Sequence, residues 1–297
     1  MQVYKGLTAD ELEAQYFLRG TRPGYVTSDM PRWLERSKQF VDSANGKLDL
    51  VYGPRERNRL DLFPAQIPAG DAPAGFILHI HGGYWQRGDK SIYSYIAEPF
   101  VKRGFAVALM NYQMCPDVRL GEITEQSRLA VSWLWRNAED LGIDRGNFNV
   151  MGHSAGGHQA VEMLFTDWSK EADDLPRDLI SSAVAVSGIY DFEPILYCSE
   201  NAGLRLDKDE ARAVSPIYRH PASDAPLLLA HGLNEPPDMH RQSTDFHARF
   251  KDTSRRMDCI GVPGADHFET VDVLADDKSE LFARALEFIL ARSRAND

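Results

Sequence analysis

Cysteine, basic charge and long apolar runs are all scarce in this 297-residue chain. The three cysteines, Cys115, Cys198 and Cys259, are odd in number, far apart and without CxxC spacing. That argues against a disulfide framework or a zinc knuckle and fits free thiols in a reducing compartment. Lysine and arginine total 33 against 44 acidic residues, a formal net charge of -11. The broad basic footprint that phosphate backbones require is missing, so nucleic acid is not an expected partner. No stretch approaches the roughly 18 apolar residues needed to span a bilayer, and the opening MQVYKGLTADELEAQ has neither a basic n-region nor an apolar h-region. A soluble, cytoplasmic protein without a membrane partner is expected. There is no internal repeat and no low-complexity tract.

What is present is ordinary globular material, 43% hydrophobic, 26% charged and 10% aromatic, enough for a substantial core. At roughly 150 residues per domain the length allows two domains, but α/β folds often reach it as one domain with an inserted cap. Thr8 three residues before Glu11 makes a capping box for a helix over 8–20, and a second helix follows Pro31 in RWLERSKQFVDSA. Residues 1–45 therefore form a helical, peripheral extension. LDLVYG and RLDLFP, separated by a charged stretch, predict an antiparallel hairpin. From GFILHIHGG onward, apolar strand runs alternate with helical stretches: FAVALMNY, FNVMGHS, SSAVAVSGIY, PLLLAHG and MDCIGV, ending in the helix SELFARALEFILARS. This alternation predicts a mainly parallel twisted sheet with helices on both faces. The irregular, charged residues 191–218 read as a small cap insertion in a single domain over 1–297.

The strand FNVMGH runs into Gly152-His153-Ser154-Ala155-Gly156 and then a helix, a G-x-S-x-G turn that leaves the Ser154 hydroxyl exposed as a candidate nucleophile. The strand FILHIHGG ends in His81-Gly82-Gly83-Tyr84-Trp85, whose glycines let backbone N–H groups face a cleft. Gly82 and Gly83, with the Ala155 N–H, are the candidate oxyanion donors. Tyr84 and Trp85, next in line, are the candidate substrate-binding rings. An activated serine needs an imidazole, and the imidazole needs a carboxylate to orient it. Glu235 follows the strand PLLLAHG and His267 follows MDCIGV, so all three side chains converge on one edge of the sheet. Asp238 and Asp191 are rival acids; Asp266 is adjacent to His267 and points elsewhere, and His153 and His158 read as packing residues. His79 and His81 share a strand face but have no third ligand at metal spacing, so no metal and no cofactor are expected.

Taken together, HGGYW, GHSAGGH, HGLNEPPDMHRQS and GADHF resemble the α/β-hydrolase fold, and within it the arylformamidase (kynurenine formamidase) group. The resemblance runs from the hairpin to the final helix. It implies that the HGGxW loop supplies oxyanion donors and that Ser154 is the nucleophile. It also implies that the acid lies seven residues before a Gln-Ser pair, which Gln242 and Ser243 place at Glu235. The group usually has aspartate there, so the glutamate is a departure. The implied activity is metal-free removal of a small acyl group by Ser154, Glu235 and His267, with an N-formyl-kynurenine-type formamide as the small-molecule substrate. A carboxylesterase or carbamate hydrolase is the alternative, and a non-catalytic ligand-binding protein the alternative of another class. A homodimer is left open.

Overall fold

Runs of consecutive apolar residues suit strands buried on both faces, and here they form the centre of an eight-stranded sheet. In the computed structural model, which describes residues 1–290 except Ala69, Ala72 and Ser254, the strands are β1 (Lys47–Val51), β2 (Arg59–Phe63), β3 (Gly75–Ile80), β4 (Phe105–Met110), β5 (Phe148–His153), β6 (Ser182–Val186), β7 (Leu227–Gly232) and β8 (Met257–Val262). Their spatial order is β8-β7-β6-β5-β3-β4-β2-β1. The pairs β1/β2 and β2/β4 are antiparallel and every other neighbouring pair is parallel. This is the mainly parallel sheet with an antiparallel hairpin at one end that the sequence predicts. Every residue of β3 to β7 is buried, whereas β1 at the edge is mostly exposed.

The main helices are α1 (Ala9–Tyr16), α2 (Met30–Ser43), α3 (Leu120–Arg136), α4 (Ala155–Phe165), α5 (Pro237–Phe250), α6 (Glu269–Leu274) and α7 (Glu280–Ile289). Helix α4 packs on β5 and β6, α5 on β7 and β8, and α7 on β6 and β7. The expected continuation of the last helix through Ser293 lies outside the described residues. No helix among the described residues is long and apolar enough to cross a membrane.

Strand order fixes where a cleft can open. The chain leaves β3 toward β4 on one side and leaves β5 toward β6 on the other, so the connections from these two adjacent strands diverge at their carboxyl ends. Ligands of open parallel sheets bind in such a crevice. The two glycine motifs of the sequence are the loops that border it.

The N-terminal extension departs from its expected peripheral role. Its capping box is present: Thr8 N–H donates to Glu11 Oε2 at 2.8 Å, and Glu11 N–H to Thr8 Oγ1 at 3.3 Å. But Leu12, Tyr16, Leu18 and Trp33 are buried. Tyr16 donates to Asp238 (2.6 Å), and Trp33 Nε1 to Asp272 (3.1 Å). The buried stripe Trp33, Ser37, Phe40 on α2 packs toward residues 90–96, where Ile92, Tyr93 and Tyr95 are buried in turn. Residues 191–218 fold as four short helical turns, Pro194–Tyr197, Asn201–Leu204, Lys208–Ala213 and Pro216–Tyr218.

Candidate active site

Ser154 sits between β5 and α4 with φ 57 and ψ −120, a left-handed backbone that a non-glycine residue adopts only under strain. The glycines around it are required by close approach. A Cβ on Gly156 would lie 1.8 Å from the Ile80 carbonyl oxygen, and one on Gly152 would lie 2.1 Å from the Gly156 oxygen. Gly82 lies directly under the serine, since its Cβ would be 3.0 Å from that of Ser154. Ala155 opens α4, so its N–H has no carbonyl within the helix to bond.

Glu235, carried by the loop after β7, is nearly fully buried and holds three donors. Its Oε1 accepts from Ser187 Oγ at 2.5 Å and from Gly232 N–H at 2.8 Å, and its Oε2 lies 3.3 Å from His267 Nδ1. Burial alone would raise its pKa, but His267, Ser187 and the Gly232 N–H together outweigh that and hold it down at about 2. Glu235 is therefore a carboxylate, which only accepts, so the bond between the two residues runs from His267 Nδ1–H to Glu235. The His267 carbonyl accepts from Thr270 Oγ1 and lies against His153 Nε2, both at 2.8 Å. His153 is pushed down to about 3 by burial and by the neighbouring His267.

A cleft of about 470 Å³, open mouth included, gathers Ser154, His267, His153, Gly83 and Tyr84 from the sheet loops. Trp85 is not brought into it. Tyr84 (φ 54) and Trp85 (φ 57) both turn through left-handed conformations, and the fully buried indole packs on His158 and Phe192. The rival acids are engaged elsewhere: Asp238 with Tyr16 and Arg241, Asp191 with Tyr4 and Tyr218. Asp266 bonds Arg22, and His158 lies beside Glu162 and the Val214 carbonyl. His79 and His81 are buried, and no group that could hold a metal ion occurs among the described residues.

Sequence reasoning missed half of the cleft wall. Leu18, Arg19, Tyr25 and Trp33 reach it from the N-terminal extension, and Tyr93 and Phe268 add two further rings. The buried stripe of α2 signals a partner for that helix without saying which. Glu200, from the cap segment, closes the rim through a two-pronged ion pair with Arg87 (2.9 and 3.2 Å), with Arg19 at 3.9 Å. Ser187 was also missed; it lies one residue past β6, and only the sheet register sets it beside Glu235.

A serine hydroxyl and an imidazole in one cleft, with a carboxylate on the imidazole, are groups that could together attack a carbonyl. Comparison with known proteins agrees with the fold. The BD-FAE family profile matches residues 60–250. The chain is 27% identical to a kynurenine formamidase of Danio rerio over 97% of its own length and 99% of the relative's. It is 28% identical to a kynurenine formamidase of Salmo salar, over 93% and 95% respectively. Among solved structures, one described as a putative thioesterase from Silicibacter sp. tm1040 superposes with a TM-score of 0.79 at 32% identity, covering 92% of this chain and 98% of that one. The family profile spans more than half of the chain, and the sheet, the strained serine turn and the near full-length relatives agree with it: the protein belongs to the BD-FAE family, with an α/β-hydrolase fold of the arylformamidase-like kind.

Proposed function

We propose that this protein is a metal-independent serine hydrolase that removes a small acyl group from an aryl amide or ester, N-formyl-kynurenine-type formamides foremost. The observation that carries the reading is the meeting of Ser154 and His267 in one cleft, with Glu235 behind the imidazole. His267 Nε2 takes the Ser154 proton as Oγ attacks the carbonyl carbon. The carbonyl oxygen becomes an oxyanion held by the N–H groups of Gly82, Gly83 and Ala155. His267 then protonates the leaving amine or alkoxide, which departs as the acyl-enzyme forms. Water, deprotonated by the same imidazole, releases the acid and restores Ser154.

Aromatic lining by Tyr25, Trp33, Tyr84, Tyr93 and Phe268 suits an aryl leaving group, and the kynurenine formamidases among the relatives support a formyl substrate. A second reading, ester or thioester hydrolysis, is favoured by the similarity to the putative thioesterase. Specificity constants for formyl, acetyl, butyryl and octanoyl esters of one phenol, set beside N-formyl-kynurenine, separate the two. A steep decline with chain length is expected, each methylene being worth about 1–3 kcal/mol in an apolar pocket. A rise toward octanoyl would return the protein to the general esterases. Ser154→Ala should lower turnover by several orders of magnitude, and a chelator should leave it unchanged. A fluorophosphonate probe should label Ser154; no labelling would favour a non-catalytic binding protein.

A further inference from the structure

Resting on the hydrolase reading above, we infer that Arg22 is a positioning residue for His267, clamping the N-terminal segment that walls the cleft to the loop that presents the imidazole. Its guanidinium bridges two separate parts of the chain. On the N-terminal side, Nε donates to Asp29 Oδ2 (2.6 Å) and Nη2 to Asp29 Oδ1 (3.2 Å). On the other side, Nη1 donates to Asp266 Oδ2 (2.7 Å) and lies 3.0 Å from Glu269 Oε1. Asp266 immediately precedes His267, and its second oxygen accepts the N–H groups of Phe268 (2.9 Å) and Glu269 (2.8 Å). The Asp266 N–H in turn donates to Glu269 Oε2 at 3.0 Å. The loop is thus closed on itself at the residue that Arg22 holds.

The other face of the loop is fixed from the sheet by His153 and from α6 by Thr270, both on the His267 carbonyl. Arg22 supplies the restraint from outside, and a ring contact between Tyr25 and Phe268, centroids 4.3 Å apart, runs alongside it. Without the guanidinium, three carboxylates would face one another across the seam, and Asp29, which is buried, would keep only Arg32. Like charges at this range disfavour closure, so the segment and the loop would part together. Arg22 itself does not line the cleft. Its effect on turnover passes through Asp266.

The test compares Arg22→Ala, Arg22→Lys, Asp266→Asn and the double variant Arg22→Ala/Asp266→Asn in the full chain, by circular dichroism, steady-state kinetics on phenyl acetate and amide hydrogen exchange. Misplacing a reacting group by about 1 Å can cost about a hundredfold. Arg22→Ala should therefore lower kcat roughly ten- to a hundredfold with KM within about threefold. Arg22→Lys should recover most of the loss, and the double variant should be no worse than Arg22→Ala, as coupled partners behave. Exchange at residues 266–271 should rise in Arg22→Ala beyond the rest of the sheet edge. A folded Arg22→Ala with kcat within about twofold of wild type, losses that multiply in the double variant, or unchanged exchange would each overturn the assignment. If Arg22→Ala does not fold, Asp266→Asn, which keeps an acceptor for the two loop N–H groups, decides by the same readouts. An inactive, unlabelled wild type would remove the hydrolase reading instead, and the exchange data would still decide whether the clamp exists.

Discussion

Glu235 is satisfied by donors from three places in the chain: Ser187 past β6, Gly232 at the end of β7, and His267 past β8. Glu235→Gln should keep the shape but favour the wrong imidazole tautomer, costing about 10²–10⁴ in kcat, whereas Asp238→Asn should cost far less because Asp238 serves Tyr16 and Arg241. The opposite ranking in kcat measurements would move the role to Asp238. Ser187→Ala removes one hydrogen bond to an ionised acceptor, worth about 1.5–3 kcal/mol, and kcat should fall roughly ten- to a hundredfold if that bond fixes the carboxylate. The depressed carboxyl also carries a sign. Held near 2 in the fold against about 4.3 unfolded, Glu235 contributes stability that is full above the unfolded value and lost as pH falls toward 2. Urea unfolding of wild type and Glu235→Gln at pH 6 and pH 3 should therefore show their difference shrinking at the lower pH. The positions of Ser154, Glu235 and His267 were legible because each follows a strand end marked by glycine or proline. Trp85 was not, because adjacency along a chain does not fix direction when two successive residues turn left-handed.

At the scale of elements, the strands were legible and the helical extension was legible only as helices. Uninterrupted apolar runs such as FILHI and FAVALM identify buried parallel strands with little ambiguity. An amphipathic helix reports that it has a buried face, not which surface covers it. Hence α1 and α2 were expected at the periphery, while in the fold Trp33 of α2 and Leu18, Arg19 and Tyr25 from the chain between the two helices wall the cleft. The short helix α6, which follows His267, was also unread, although Asp266 three residues before Glu269 has capping-box spacing and both reciprocal bonds form. The capping box gives the extension its own test. Thr8→Ala should lower stability by about 0.5–2 kcal/mol in urea unfolding, and an unchanged midpoint would mean that α1 is held by packing alone.

Across the whole molecule, buried histidines should make stability depend on pH. His79 and His153 are pushed down to about 3 and His81 to about 4, chiefly by loss of solvent, so all three are neutral in the folded protein at pH values where the unfolded chain has charged them. The unfolded state then binds more protons, and stability should climb as pH rises from about 4 to about 6.5. Three protons correspond to about 4 kcal/mol per pH unit. His79, whose ring nitrogens have no hydrogen-bond partner among the described residues, allows a clean check. His79→Leu should reduce the rise in unfolding free energy between pH 5 and pH 6 by about 1.2 kcal/mol, and an equal rise would refute the neutral state of that ring. The bond from Arg22 to Asp266 spans 244 residues of sequence. At roughly 5–20 residues per second of synthesis, Arg22 is added to the chain about 12–50 s before its partner. During that interval Tyr25 lacks the Phe268 ring and Trp33 Nε1 lacks the Asp272 carboxylate, although Tyr93 and Tyr95 are already there to pack on Trp33. The wall of the cleft is thus assembled from residues made far apart in time.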